Sequence, residues 1–175
     1  PGVQAKSAMV AVHEKSRHQY RCTAKQNDSG HTGLTPNSDS VVSRMAAFIT
    51  EVNHSSIYRG KFHPEVRGTF ERHAPYMQFP LNILFGNLTL FSPIIKKIML
   101  GIPQTQAMLS TGFTFTSVFA GKQEHPNFRA QDAEATLVLR CIREDDLYAG
   151  LEKIRKIGEK YGVQLEEIER DYCIP

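Results

Sequence analysis

Hydrophobic and polar residues alternate one by one in three stretches of the chain and recur at helical intervals in two others. From Met9 to Gln26, Tyr20, Cys22 and Ala24 fall on one face and Arg21, Thr23 and Lys25 on the other. A period of two predicts a strand, here entered through a turn near Glu14-Lys15-Ser16. Residues 113–120, FTFTSVFA, alternate again and set Phe113, Phe115 and Phe119 on one side. Residues 134–142, EATLVLRCI, separate Leu137, Leu139 and Cys141 from Thr136, Val138 and Arg140. Val163 to Glu169 reads as a last strand.

Between these runs the period changes. Val41, Met45, Phe48, Ile49 and Val52 recur at three- and four-residue steps behind the N-cap candidates Asn37, Ser38 and Asp39, predicting an amphipathic helix ending near Asn53. Asp145 and Asp146 stand where negative charge favours a helix start; Leu147, Leu151, Ile154, Ile157 and Tyr161 then form a stripe stopped by Gly162. The order strand, helix, strand, strand, helix, strand is the split βαβ, ferredoxin-like pattern. It implies an α+β fold with a four-stranded antiparallel sheet and two helices on one face.

Residues 54–110 stand outside this pattern. They hold five of the nine prolines and the apolar run LNILFGNLTLFSPIIKKIML. At a bilayer centre Lys96 and Lys97 would each cost about 2.5–3.5 kcal/mol, so no transmembrane span is expected. Ile94, Ile95, Ile98 and Met99 suggest a short amphipathic helix instead. The region reads as a mainly helical insertion whose apolar surface packs on the host domain or meets a partner.

At 175 residues the chain has room for one well-packed domain, with or without a large insertion. Its 21 Lys+Arg against 18 Asp+Glu form no basic block, which argues against nucleic acid as a partner. Cys22, Cys141 and Cys173 form neither a disulfide framework nor a Cys-x-x-Cys knuckle, and read as small buried hydrophobes. The opening Pro1-Gly2, without an initiator Met, suggests an excised or processed piece. The compartment is left undetermined, the cytoplasm being slightly favoured.

None of the seven histidines forms His-x-His, His-x-Asp or His-Glu-x-x-His, so no local metal pair is expected, and most read as surface or turn residues. His31 stands apart in SGHTGLTP, residues 29–36, because flanking glycines let the backbone approach a ligand. The simpler reading is a loop histidine at a strand-to-helix turn. Glu166 and Glu167, adjacent on a strand, point to opposite faces and cannot converge on one metal or proton. No Gly-rich phosphate loop or Gly-x-Ser-x-Gly elbow is present. The residues by themselves describe a ligand-touching or partner-touching domain without a complete active site.

The element order, SGHTGLTP and NFRAQDAEATLVLR together resemble the lid or dimerisation domain of the zinc-dependent aminoacylase and carboxypeptidase family, peptidase family M-twenty. The resemblance is strongest to the Gly-X carboxypeptidase (carboxypeptidase S) branch, whose lid carries a long, hydrophobic, proline-containing insertion. Gly30-His31-Thr32 matches the family's Gly-His-small motif, which implies that His31 stabilises the oxyanion, usually in the partner subunit's catalytic centre. Asn127 and Arg140 match an Asn and an Arg thirteen residues apart, implying that Arg140, assisted by Asn127, holds the substrate carboxylate. Ser29 and Phe128-Arg129-Ala130 depart from the family pattern.

The resemblance implies an isolated lid, silent by itself, from a metallopeptidase or amidohydrolase acting on peptides or N-acyl amino acids. The two zinc ions would belong to the parent's own catalytic domain, whose ligands this chain lacks; this chain would carry no cofactor. A homodimer is expected, with the insertion reinforcing it or covering a long apolar substrate. The competing class is a non-enzymatic ferredoxin-like module that binds an amino acid or a protein.

Overall fold

The first strand, β1 (Ser16–Lys25), buries every second residue, from Ser16 and His18 through Tyr20 and Cys22 to Ala24. This is what alternation dictates for a strand with one covered face. In the computed structural model, which describes residues 14–27, 30–34, 40–58, 60–121 and 127–171, β1 is central. It pairs antiparallel with β3 (Asp132–Cys141) and with β4 (Val163–Asp171), and β2 (Gly112–Ala120) adds to the far side of β3. The sheet order is β2-β3-β1-β4. With α1 (Val41–His54) and α6 (Glu144–Tyr161), this is the expected ferredoxin-like α+β fold.

Two helices supply the other half of the core. Val41, Met45, Phe48 and Val52 of α1 and Leu147, Leu151 and Ile154 of α6 pack with Tyr20, Cys22, Leu137, Leu139 and Cys141 of the sheet. Asn37, Ser38 and Asp39 lie outside the described residues; Ser40 caps α1, its side chain accepting from the Ser43 N–H at 3.0 Å. Glu144, Asp145 and Asp146 occupy the first turn of α6, where carboxylates oppose the helix dipole. Gly162 ends that helix at φ 64°, a left-handed conformation natural to glycine.

Two expectations are corrected. The register of β2 shifts between Phe115 and Ser117. Phe113 and Phe115 oppose Leu139 and Leu137 on the core side, whereas Phe119 opposes Glu134 on the outer side and is 70% exposed. One extra residue in the strand inverts the faces beyond it. His18 is not a surface histidine: it is fully buried, in phase with Tyr20 and Cys22.

Residues 60–111 belong to a separate compact unit. It contains α2 (Pro64–His73), α3 (Leu81–Gly86), α4 (Leu88–Leu100) and α5 (Pro103–Leu109). Leu88, Ile95, Met99 and Leu109 form its core, with Phe70 and Phe85 stacked 4.9 Å apart. No helix among the described residues is long and apolar enough to cross a membrane.

Candidate functional site

His31 is held by a continuation of the β1–β3 ladder. Beyond Lys25 the Gln26 N–H donates to the Gln131 carbonyl at 2.8 Å; farther out Arg129 N–H donates to Gly30 O and Thr32 N–H to Asn127 O, at 3.2 and 2.9 Å. His31 thereby bridges Phe128, whose ring meets the imidazole edge-on at 6.0 Å between centroids. The next residues turn into a single 3-10 turn, Thr32–Leu34, closed by Leu34 N–H on His31 O.

That turn aims the Gly33 N–H back at the ring, where it donates to His31 Nδ1 at 3.1 Å. A neutral imidazole with Nδ1 accepting carries its proton on Nε2. Gly33 suits this contact because a Cβ there would come within 3.3 Å of Nδ1. The sequence singled out His31; its controlling partner, two residues on, was read only as a flanking glycine.

Asn127 is therefore beside His31, joined through its carbonyl. Arg140 is elsewhere. It lies at the opposite end of β3, eight residues past Asp132, about 27 Å away at 3.3–3.4 Å per residue. One chain cannot close its Arg140 and its Asn127 on a single carboxylate.

Arg140 has its own surroundings on the exposed outer face of the sheet. Arg17 stands directly opposite on β1. Arg17 is matched by Glu169 and Asp171, each at 2.8 Å, which hold its guanidinium charge more firmly. Among the described residues no carboxylate pairs with Arg140. Like charges directly opposite on a sheet are unfavourable, and a planar guanidinium so placed suits an external carboxylate held bidentately.

A second polar group is buried under the same end of the sheet. His18 Nδ1 lies 3.4 Å from Glu167 Oε1, and His18 Nε2 is 3.2 Å from Ser16 Oγ, which in turn is 2.8 Å from Cys141 Sγ. Arg170 donates to both Glu167 oxygens at 2.7 and 2.9 Å and, with His18, keeps that carboxyl below the usual range. The order resembles a nucleophile, base and acid, yet Ser16 is 3% and His18 0% exposed. No substrate reaches them, so the chain ties β1 to β3 and β4. Glu166 faces the other way, 3.8 Å from Arg21, as adjacent strand residues must.

Among the described residues no three His, Cys, Asp or Glu side chains are grouped to hold a metal. Two-zinc chemistry does not fit these residues, and no step through a metal is assigned to them.

These features define a class: a ferredoxin-like domain with a histidine presented at one end of its sheet and an arginine at the other, and no metal centre of its own among the described residues. The chain is similar, at 28% identity over 120 residues, to the N-fatty-acyl-amino acid synthase/hydrolase PM20D1 of Xenopus tropicalis, covering 69% of this chain and 23% of that protein. The Mus musculus protein of the same name is 26% identical over 167 residues, covering 94% and 32%. In fold the chain is similar to an M20 family metallo-carboxypeptidase from Sulfolobus solfataricus, with a TM-score of 0.57 and 13% identity over 93% of this chain and 45% of that one. No family model matches the chain. It spans about a quarter to a third of the length of the curated relatives it matches. The chain is thus similar in sequence to N-fatty-acyl-amino acid synthase/hydrolases and in fold to an M20 family metallo-carboxypeptidase.

Proposed function

We propose that the chain is the lid or dimerisation domain of a zinc-dependent M20 hydrolase that cleaves the amide bond of N-acyl amino acids or peptides. The observation that carries this reading is the fixed His31 ring. With Nδ1 engaged by Gly33, the Nε2–H becomes a preset donor at an exposed end of the sheet. Such a donor stabilises the oxyanion that forms as water adds to the carbonyl, without reorganising during the reaction. Arg140, unpaired among the described residues and opposite Arg17, receives the free carboxylate of the substrate. The N-fatty-acyl-amino acid activity in the relatives' names favours acylated amino acids as the substrate class. Metal, activated water and general base belong to the remainder of the parent protein.

His31 and Arg140 lie too far apart in one chain to hold one small substrate, so each site takes them from different chains of a dimer, with Asn127 accompanying His31. The test is hydrolysis by the full-length protein of N-acyl amino acids, followed by amino-acid release. His31→Ala should lower kcat by about 100- to 1000-fold, as for loss of an oxyanion donor. Arg140→Ala should chiefly raise KM. No hydrolysis by the full-length protein, or an unchanged kcat in His31→Ala, would refute the reading. Saturable binding of a free amino acid to the 175-residue chain alone would favour the non-enzymatic module instead.

A further inference from the structure

Residues 72–123 contain no aspartate or glutamate, although the chain has 18. The bases Arg72, Lys96, Lys97 and Lys122 lie within that run, as do nearly all the strongly exposed apolar side chains of the helical unit. On α4, Leu90, Ile94 and Ile98 are 73%, 57% and 54% exposed. At four-residue steps they form a row that drifts by only about 40° per step, and Lys97 borders it. The other side of the same helix carries Leu88, Ile95 and Met99, already buried in the unit's core. The core thus accounts for one apolar face of α4 and leaves a second. Phe79, Leu81 and Ile83, in and just before the neighbouring α3, are exposed too.

We propose that this unit lies on an anionic lipid surface, with Leu90, Ile94 and Ile98 entering the acyl boundary and Lys97, beside that row, meeting the negative headgroups. A helix with an exposed apolar row edged by lysine is the arrangement that binds in the plane of an interface, and lysine stems extend over the apolar layer while their charges stay in water. At 13 residues α4 is about 20 Å long, too short to span the roughly 30 Å hydrocarbon core, so it lies on the surface rather than crossing it. The missing acids decide between occupants. Every carboxylate near a negative surface costs binding; α3 and α4 carry none, and the acids of residues 60–111 are Glu65 and Glu71, the latter paired with Arg67, against Lys61, Arg67, Arg72, Lys96 and Lys97. A second copy on the same face would bring two copies of Lys97 together with no acid on α3 or α4 to offset them.

The test is flotation of the 175-residue chain with phosphatidylcholine vesicles and with vesicles that also contain phosphatidylserine. Binding is expected to the mixed vesicles, weakened about tenfold or more on the neutral ones and also by added salt. Replacing the bordering lysine, Lys97→Gln, should weaken binding to the mixed vesicles about fivefold. Ile94→Asp with Ile98→Asp should weaken it at least about tenfold. Because both isoleucines are exposed, the variant's circular dichroism should match the wild type. Ile168→Asp, on β4, should bind as wild type. The proposal is overturned if the chain does not float with anionic vesicles, or if the isoleucine variant floats as well as wild type. It is also overturned if light scattering finds a dimer that the isoleucine variant dissociates while neither protein binds vesicles.

Discussion

Replacing the Gly33 amide by an ester, with glycolic acid in place of the glycine, removes the N–H that fixes the His31 ring while sparing the other bonds of the turn. Thr32 N–H still reaches Asn127 O and Leu34 N–H still closes on His31 O. Proline would not serve, because at the third position of this turn it drives Thr32 out of the helical region. The bond lost is the 3.1 Å contact from Gly33 N–H to Nδ1, worth about 1 kcal/mol net. Since that bond favours the ring protonated at Nε2 over the one protonated at Nδ1, its loss lowers the ratio of the two tautomers about fivefold. Gly33→Ala is the control: it keeps the N–H, adds a Cβ 3.3 Å from Nδ1, and should shift the ring slightly while preserving the tautomer. Ring nitrogen chemical shifts of neutral His31 in labelled protein report the ratio directly. A wild-type ring protonated mainly at Nδ1, or an ester variant with the wild-type ratio, would refute the assignment of Nε2–H as the presented donor.

Three further outcomes follow from side chains of the sheet unit. His18→Ala loses a hydrogen bond to the Glu167 carboxylate and one to Ser16 and opens a cavity; urea unfolding should show a loss of about 3 kcal/mol, and a loss below about 1 would mean that the network is not holding the strands. Glu167, lowered first by Arg170 and also by His18, contributes stability above the ordinary carboxylate range that disappears as pH falls through its lowered folded value. The stability gap between wild type and Glu167→Gln should therefore close on acidification in urea titrations at a series of pH values. Burial pushes the Cys22 thiol up to about 12, so iodoacetamide at mildly alkaline pH should label it in urea but not in the native chain, as read by peptide mass.

The sheet was largely legible because β1 and β3 keep strict alternation over ten residues each, and such a run admits one assignment of faces. The far end of β2 was not, since a bulge adds a residue without any residue type that announces it: Thr116 resembles Thr114. His18 was readable in principle, being in phase with Tyr20 and Cys22, but histidine's usual surface preference outweighed the phase. His31 was marked by its glycines. Its proximity to Asn127 was not marked, because a backbone pairing across about a hundred residues leaves no local pattern. The thirteen-residue interval from Asn127 to Arg140 does not carry its own geometry: spent mostly in extended strand, it separates its ends.

The same separation makes the proposed sharing of a site between subunits testable without a structure of the dimer. If His31 of one protomer and Arg140 of its partner serve one substrate, a mixed dimer of His31→Ala and Arg140→Ala chains has one site with both defects and one with neither. Random association makes about half of the dimers mixed, and half of their sites are intact, so co-expressed variants should recover about a quarter of wild-type activity. Each variant expressed alone carries one defect at every site and stays inactive to the extent of that defect. If instead both residues served a site within their own chain, every site in every dimer would be defective, and co-expression would recover nothing. Activity of the mixture at the mean of the two single variants would therefore refute shared sites, whatever the mass of the assembly.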